Sequence, residues 1–359
     1  MFWIEKIFNY FKPKGIIMCI ALSSLISILP IFIPFIPGLY IKPPLLDILT
    51  HRRAIAILTG SIWIAIGPYL IHRYITETNT FFVECQKNNP SRQIENIRIK
   101  FNNTFAKDKS FKLILILWEA LVLLCVVLND SYIRCFGIEG YSDIYFTIFC
   151  LCFSYVLYLN AVGFYGVYIT IRHINFLIER KLIKIDYFTT DGHGGLGFII
   201  QYIYKVTMIF GTGILFVPIL LDFVLFNDKN IIKLCLYLML FVYSAMLFLC
   251  FYIPWRKVNK YLLTAKNNEK ANLYNQYKEK VLVSINACSM EISDYLIQTS
   301  IYNYINVIDK TDVAHINIIK YIEMFAVIIM PAISVFINIE DLRNTVTQLY
   351  NAIYIYMNL

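Results

Sequence analysis

Residues 231–254 of this chain read IIKLCLYLMLFVYSAMLFLCFYIP, and Lys233 is the one charged side chain among them. A helix rises 1.5 Å per residue, so about 20 apolar residues cross the hydrocarbon core of a bilayer. Backbone polar groups in lipid must be bonded within their own segment, which favours a helix over an open strand. This stretch therefore predicts a membrane-spanning helix.

Five other segments have a similar length and composition. They are residues 15–40, 53–75, 112–129, 143–170 and 206–226. The composition of the chain agrees, because 58% of its residues are hydrophobic and only 16% are charged, unlike an ordinary soluble domain. The sequence predicts an all-α, polytopic helical membrane protein with six transmembrane helices. A seventh candidate, residues 324–339, contains Pro331 and could cross, re-enter or lie on the surface.

Lysine and arginine residues concentrate on one side of the predicted bundle. The N-terminal tail, residues 76–112, the connection between the fourth and fifth spans, and the segment after the sixth span hold most of them. Cytoplasmic loops carry this excess, so we expect the N-terminus in the cytoplasm. The net charge of +8 is then expected to meet anionic lipid headgroups of the bilayer rather than nucleic acid.

The predicted spans divide the chain into five parts. They are an N-terminal tail with two spans (1–75), a cytoplasmic connection (76–111), a four-span bundle (112–254), a cytoplasmic helical region (255–323) and a C-terminal apolar or amphipathic segment (324–359). The cytoplasmic connection predicts an amphipathic helix, because apolar residues recur every three to four positions at Ile94, Ile97, Phe101 and Phe105.

Residues 256–315 predict a long helix with an apolar seam. Its positions alternate spacings of four and three residues: Val281, Ile285, Cys288, Ile292, Tyr295, Thr299 and Tyr302. The residue types are mixed, so an intramolecular helical hairpin and a coiled coil between subunits both stay open. In either case we expect an interaction surface, for a second copy in a homo-oligomer or for a cytoplasmic protein partner.

Residues 189–198, TTDGHGGLGF, form the sharpest local motif. The pattern G-x-G-x-x-G is present, but it runs into a membrane helix rather than a βαβ unit, which excludes a dinucleotide site. Backbone N–H groups at a helix N-terminus favour an anion. We therefore predict an anion or ligand site formed by Asp191, Gly192, His193, Gly194, Gly195 and Gly197. The alternative is that Asp191 caps the helix while the glycines permit close packing.

The DGHGGLGF stretch resembles a D-G-x-x-G-G-L-G-F-type loop between two membrane helices of uncharacterised bacterial multi-pass membrane proteins, with one residue fewer here. The resemblance covers this loop, the six-span layout and an apolar segment with proline near the C-terminus. It implies a location in the plasma membrane, which is the bacterial inner membrane. It supplies no activity, cofactor or catalytic residue, and no cofactor is predicted.

Three polar residues inside predicted spans are candidates for a pathway or a buried charge. Glu119 lies seven residues inside the third span and Lys205 near the inner end of the fifth, so an ion pair between them is geometrically feasible. Asn160, midway along the fourth span, is expected to bond between helices. The alternatives are that Lys205 snorkels to the interface and that Glu119 is a hydrogen-bonded carboxyl holding helices together.

Metal and catalytic motifs are not recognised in the sequence. His72, His173 and His193 fall near the inner boundary without a ligand spacing, and arginines flank two of them, so no metal site is predicted. The nine cysteines have no zinc-ligand spacing and predict no disulfides. The sequence gives no positive reason to name an enzymatic reaction.

Three functions remain in competition. The first is a channel, pore or transport-type bundle with a cytoplasmic sensing or assembly region. The second is a membrane sensor or effector, with bacterial stress or phage defence as one role, driven by a cytoplasmic ligand or partner. The third is an inner-leaflet enzyme acting on a phosphorylated lipid through Asp191, His193 and neighbouring arginines.

Overall fold

A computed structural model of the protein describes residues 15–32, 51–105, 109–127, 144–189, 191–216, 230–287 and 292–311. These residues are helical or form short connections, without strands, which confirms the all-α class. The helices are α1 (Gly15–Phe32), α2 (His51–Asn88), α3 (Arg92–Thr104), α4 (Lys109–Val127), α5 (Ile144–Glu179), α6 (Gly197–Gly211), a 3-10 turn (Thr212–Phe216), α7 (Asn230–Ala287) and α8 (Ile292–Lys310).

Three helical segments in the described residues are long and apolar enough to cross a membrane. They are Ser154–Glu179 in α5, Gly197–Leu215 in α6 and the 3-10 turn, and Tyr237–Gln276 in α7. They correspond to the predicted fourth, fifth and sixth spans. The predicted first three spans overlap α1, α2 and α4 and remain predictions as spans, while residues 324–339 lie outside the described residues.

Two of these helices differ from their predicted bounds at the ends that meet the glycine-rich loop. Helix α5 continues to Glu179 instead of ending near residue 170, because Ile174, Leu177 and Ile178 keep helical spacing and are buried. Helix α6 begins at Gly197 instead of near residue 206. The preceding glycine turns end there, and hydropathy alone could not locate that boundary.

Helix α7 is the longest described element. It contains 58 residues and spans about 87 Å at 1.5 Å per residue, so it continues far beyond residue 254. Pro254 lies inside it, and Cys250, Pro254, Val258 and Leu262 form a buried row with a spacing of four residues. The burial of this row on both sides of Pro254 explains why the helix does not end at the proline.

Within the region predicted as one long helix, 256–315, the described residues are the second half of α7, helix α8 and Thr311. Helix α8 packs against α7, so within the described residues the hairpin alternative is the observed one. Lys266 Nζ donates to the backbone oxygens of Asp309 at 3.2 Å and Thr311 at 2.8 Å, and Lys270 pairs with the Asp309 carboxylate. Tyr295 and Tyr302 of the predicted seam are exposed, so they do not form the hairpin contact.

The predicted amphipathic helix is confirmed as α3. Ser91 caps it by accepting a hydrogen bond from Gln93 N, while Ile94, Phe101 and Phe105 are buried. Helix α3 packs against α2, so residues 76–105 form part of the bundle's core. Residues 76–105 of the predicted cytoplasmic connection therefore pack as part of the helical bundle.

Candidate functional site

The end of the bundle that holds residues 76–88, 180–196 and 256–266 is called the polar end here. Three connections that the charge count assigns to one side do meet at this end. Asn88 bonds to the backbone of Lys184, and Tyr261 of α7 donates to Ile183 O at 2.7 Å. Lys257 also pairs with Glu179 at 3.2 Å.

The carboxylate of Asp191 organises the glycine-rich loop. Its Oδ1 accepts hydrogen bonds from Thr189 Oγ1 at 2.7 Å, His193 N at 2.9 Å and Gly195 N at 3.1 Å. Its Oδ2 accepts from Gly197 N, the first residue of α6, at 3.0 Å. The residues predicted to bind an anion are therefore brought together around an anion that the chain supplies itself.

The glycines of this loop are required by its backbone. Gly192, Gly194 and Gly195 have φ of 68°, 65° and 75°, a region that other residues seldom adopt. Gly194 is also buried, and a Cβ there would lie 3.1 Å from Ile185 Cγ2 and 3.3 Å from Leu262 Cδ1. Gly194 thus lets the loop approach α7 closely.

The pKa of Asp191 is lowered from its ordinary value. Partial burial acts to raise this pKa, but the hydrogen bonds from Thr189, His193, Gly195 and Gly197 together outweigh that effect. The carboxylate is therefore ionised at neutral pH and already engaged by four donors. This geometry favours the capping alternative, while the binding of an external anion stays a prediction.

Asn88 and Asn89, at the end of α2, attach the α5–α6 connection to the bundle. Asn88 Oδ1 accepts from Lys184 N at 2.8 Å and its Nδ2 donates to Lys184 O at 3.0 Å, while Asn89 Nδ2 donates to Leu182 O at 3.0 Å. The sequence alone assigns Asn88 and Asn89 no role in the site, and the signal that could have found it is two adjacent amides before a proline.

Aromatic residues connect the same loop to α8. Phe188 stacks on Tyr304 with ring centroids 5.0 Å apart, and Tyr187 meets Tyr304 edge-on at 6.4 Å. Burial, Glu269 and Tyr304 raise the pKa of Tyr187 to about 12. The loop is therefore in contact with both helices of the α7–α8 hairpin.

Buried hydroxyls join α2, α5 and α6 between the polar end and the membrane part of the bundle. Tyr74 OH donates to Gly166 O at 2.9 Å and lies 3.2 Å from Thr170 Oγ1. Tyr202 OH lies 3.1 Å from Thr78 Oγ1 and 3.5 Å from Thr170 Oγ1. This hydroxyl network, Tyr74, Thr78, Thr170 and Tyr202, is at most 3% exposed, so its hydrogen bonds link the three helices within the buried core.

A cavity of about 670 Å³, including its mouth, lies on the membrane side of the hydroxyl network. Segments of α2, α5, α6, the 3-10 turn and α7 form its walls, including Leu70, Asn160, Val167, Phe210 and Met246. All three candidate membrane-spanning segments contribute to it. The described residues that line it include no charged side chain.

Phe210 occupies a notch on α5 between the cavity and the hydroxyl network. Its ring centroid lies 5.1 Å from that of Tyr74, and a Cβ added to Gly166 would be 2.5 Å from Phe210 Cζ. A Cβ added to Gly163, one turn earlier, would be 3.9 Å from Phe210 Cδ1. Gly166 is therefore needed for the observed position of Phe210, whereas Gly163 is not.

The three predicted pathway residues do not meet. Asn160 lines the cavity, and its Nδ2 bonds to Val156 O of its own helix at 3.2 Å rather than to another helix. Lys205 pairs with Glu77 of α2 at 2.9 Å, so the predicted Glu119–Lys205 pair is wrong. Among the described residues no cation pairs with Glu119, which lies on α4 against α5 and outside the cavity lining.

The predicted inner-boundary histidines are also separated. His173, which is partly buried, packs its ring edge-on against Phe82 at 5.1 Å and Phe101 at 5.6 Å. In the part of the chain that the structure describes, no group of three His, Cys, Asp or Glu side chains could hold a metal ion.

Comparisons with known proteins add no assignment to this geometry. No family model, curated protein or solved structure matches the chain.

Proposed function

We propose that this protein is a membrane sensor or effector in which α7 couples the membrane part of the bundle to the α7–α8 hairpin. One observation carries the proposal: a single continuous helix contributes Tyr243, Met246 and Leu247 to the cavity and continues, in its polar half, to hold α8 through Lys266 and Lys270. A change in packing at the cavity is therefore transmitted along one rigid element.

The charge distribution supports a direction for this signal. With the N-terminus inside, as the lysine and arginine count predicts, the polar end faces the cytoplasm, in a bacterial plasma membrane by the resemblance stated above. The exposed side chains of Tyr295, Leu296 and Tyr302 on α8 then face a cytoplasmic partner, which is a protein or a second copy of this chain. Anionic headgroups attract the basic residues of the same end.

The coupling is tested by hydrogen exchange on the purified full chain in nanodiscs. Gly166→Ala displaces Phe210, while Gly163→Ala on the same helix adds the same methyl group without a close contact. We expect faster amide exchange in residues 257–287 and 292–310 of Gly166→Ala and unchanged exchange in Gly163→Ala. A change confined to α5 and α6 would overturn the coupling.

A channel or transport-type bundle is the second candidate, and the position of Phe210 favours it. The rings of Phe210 and Tyr74 are in contact where the cavity adjoins the hydroxyl network, and this contact would act as a closed gate. Ion flux into liposomes tests it: Gly166→Ala raises flux if Phe210 is a gate, and Glu119→Gln leaves flux unchanged because Glu119 is outside the lining. The inner-leaflet enzyme is the least supported function, because the Asp191 carboxylate is engaged by four donors.

A further inference from the structure

We propose that the cavity holds an acyl chain of a bilayer phospholipid. The inference concerns the occupant of the cavity, and it does not depend on the coupling through α7. Its walls are predominantly apolar, as the walls of small-molecule sites are. Since α5, α6 and α7 carry the three candidate spans and all line it, the cavity lies at the depth of the lipid chains.

The hydroxyl groups of three wall residues are already used within the protein. Tyr243 OH donates to Phe210 O at 2.9 Å, Thr212 Oγ1 donates to Ile209 O at 2.6 Å, and Tyr74 OH donates to Gly166 O at 2.9 Å. An anionic headgroup or a carboxylate would need a cation to pair with, and the described lining residues include none. An apolar cavity of this kind excludes water and accepts hydrocarbon.

These observations distinguish a phospholipid tail from a free fatty acid. The described lining residues supply no charge to pair with a buried carboxylate, which would be costly to desolvate alone. A phospholipid avoids this cost, because its headgroup stays at the membrane surface while one chain enters. The surrounding bilayer also supplies such chains at high concentration.

A larger side chain at Gly163 can fill part of the cavity. A Cβ there meets only Phe210 Cδ1, at 3.9 Å, so a larger side chain extends into free space. Gly163→Leu therefore fills part of the cavity from α5, and Met246→Trp fills it independently from α7. Ala120→Leu, on the exposed face of α4, is the matched control because it enlarges a small residue outside the cavity.

The test is photo-crosslinking of the purified full chain in nanodiscs that contain a phospholipid with a diazirine near the end of one acyl chain. Adducts are mapped by mass spectrometry, and each variant is first shown to be folded by its thermal unfolding. We expect adducts on residues 159–167 and 243–247. Their yield should fall about tenfold in both filling variants, equivalent to about 1.4 kcal/mol of binding, and stay constant in Ala120→Leu.

Three results would overturn the proposal. The first is labelling spread evenly over lipid-facing positions such as Leu151 and Phe248, without excess at the cavity. The second is a yield at the cavity that both filling variants leave unchanged. The third comes from a parallel sample with free diazirine palmitate: cavity labelling by the free acid alone would replace the phospholipid with a fatty acid.

Discussion

The glycine-rich loop and the membrane cavity use glycine in opposite ways. In the loop, Gly192, Gly194 and Gly195 adopt positive φ and close a turn around the Asp191 carboxylate. In the bundle, Gly163 and Gly166 lie inside α5 and provide room beside Phe210. The first set fixes a backbone conformation, and the second leaves space for a side chain.

The difference follows from where backbone hydrogen bonds are made. Outside a helix the loop has no regular partners, so Asp191, Asn88 and Tyr261 are committed to its N–H and carbonyl groups. Within the membrane the helices bond internally, and their apolar side chains can leave a cavity. We therefore expect the polar end to be the rigid region and the cavity the deformable one, with α7 connecting them.

The largest expected effect on stability comes from removing the Asp191 carboxylate at the centre of the rigid region. Asp191→Ala removes four hydrogen bonds to an ionised acceptor, so we expect it to lower the free energy of unfolding by roughly 3 kcal/mol. Thermal unfolding in detergent measures it. Asp186→Ala is the control, because Asp186 Oδ1 accepts only from Phe188 N in the same loop. Equal losses in the two variants would contradict the central role of Asp191.

Acid should weaken the same region without a mutation. Because the folded pKa of Asp191 lies below its ordinary value, its contribution to stability is complete above the unfolded pKa of about 3.9 and is lost as pH falls through the folded pKa. Unfolding profiles from pH 6 to pH 2 measure the loss. We expect Asp191→Asn to reduce the slope at the acidic end, and an unchanged slope would exclude this carboxylate as a source.

The next largest effect on stability is expected in the deformable region, from Gly166→Ala. The added methyl overlaps Phe210 Cζ and pushes a partly buried ring, so we expect a loss of about 2 kcal/mol, as in an overfilled core. Thermal unfolding of Gly166→Ala beside Gly163→Ala measures the difference. Phe210→Leu in the Gly166→Ala background should recover part of the loss. Recovery would show that the ring is the obstacle, and its absence would place the strain elsewhere.

A smaller effect is expected where α2 holds the loop. Asn88→Ala loses both bonds to Lys184 at an exposed site, so about 1 kcal/mol of stability should be lost. Asn88→Asp retains an acceptor for Lys184 N but not the donor to Lys184 O. Its loss, measured by the same unfolding assay, should differ from that of Asn88→Ala. If both variants lose a negligible and indistinguishable amount of stability, the hydrogen bonds between Asn88 and Lys184 do not stabilise the loop.

The smallest effect concerns the ion pair between Lys205 and Glu77. Lys205 is 45% exposed, so a double-mutant cycle with Lys205→Met and Glu77→Gln should give a coupling of about 0.5 kcal/mol. The same cycle with Glu119→Gln in place of Glu77→Gln should give none. Coupling to Glu119 instead of Glu77 would contradict the observed pairing.

The sequence predicts the all-helical class, α3, most of α5, the last turns of α6 and, as two separate helices, most of α7, because apolar length and spacing are local properties. The start of α6 was missed because the glycine turns around Asp191 set it, and the continuation of α7 was missed because the row from Cys250 to Leu262 is buried by packing between helices. The loop was recognised by its glycines, and capping by Asp191 was one of the two roles that the sequence left open. The cavity and the partner of Lys205 depend on helix packing, which one sequence does not specify.

The central claim is that the cavity and the hairpin are coupled through α7, and coupling must be reciprocal. The most direct measurement is hydrogen exchange at residues 159–167 and 206–215 after the hairpin contact is broken. Lys266→Met removes the donor to Asp309 O and Thr311 O, while Lys260→Met changes an exposed lysine of the same helix. Faster exchange around the cavity in Lys266→Met alone is the predicted result. Exchange there that matches wild type, despite a loosened α8, would contradict the account.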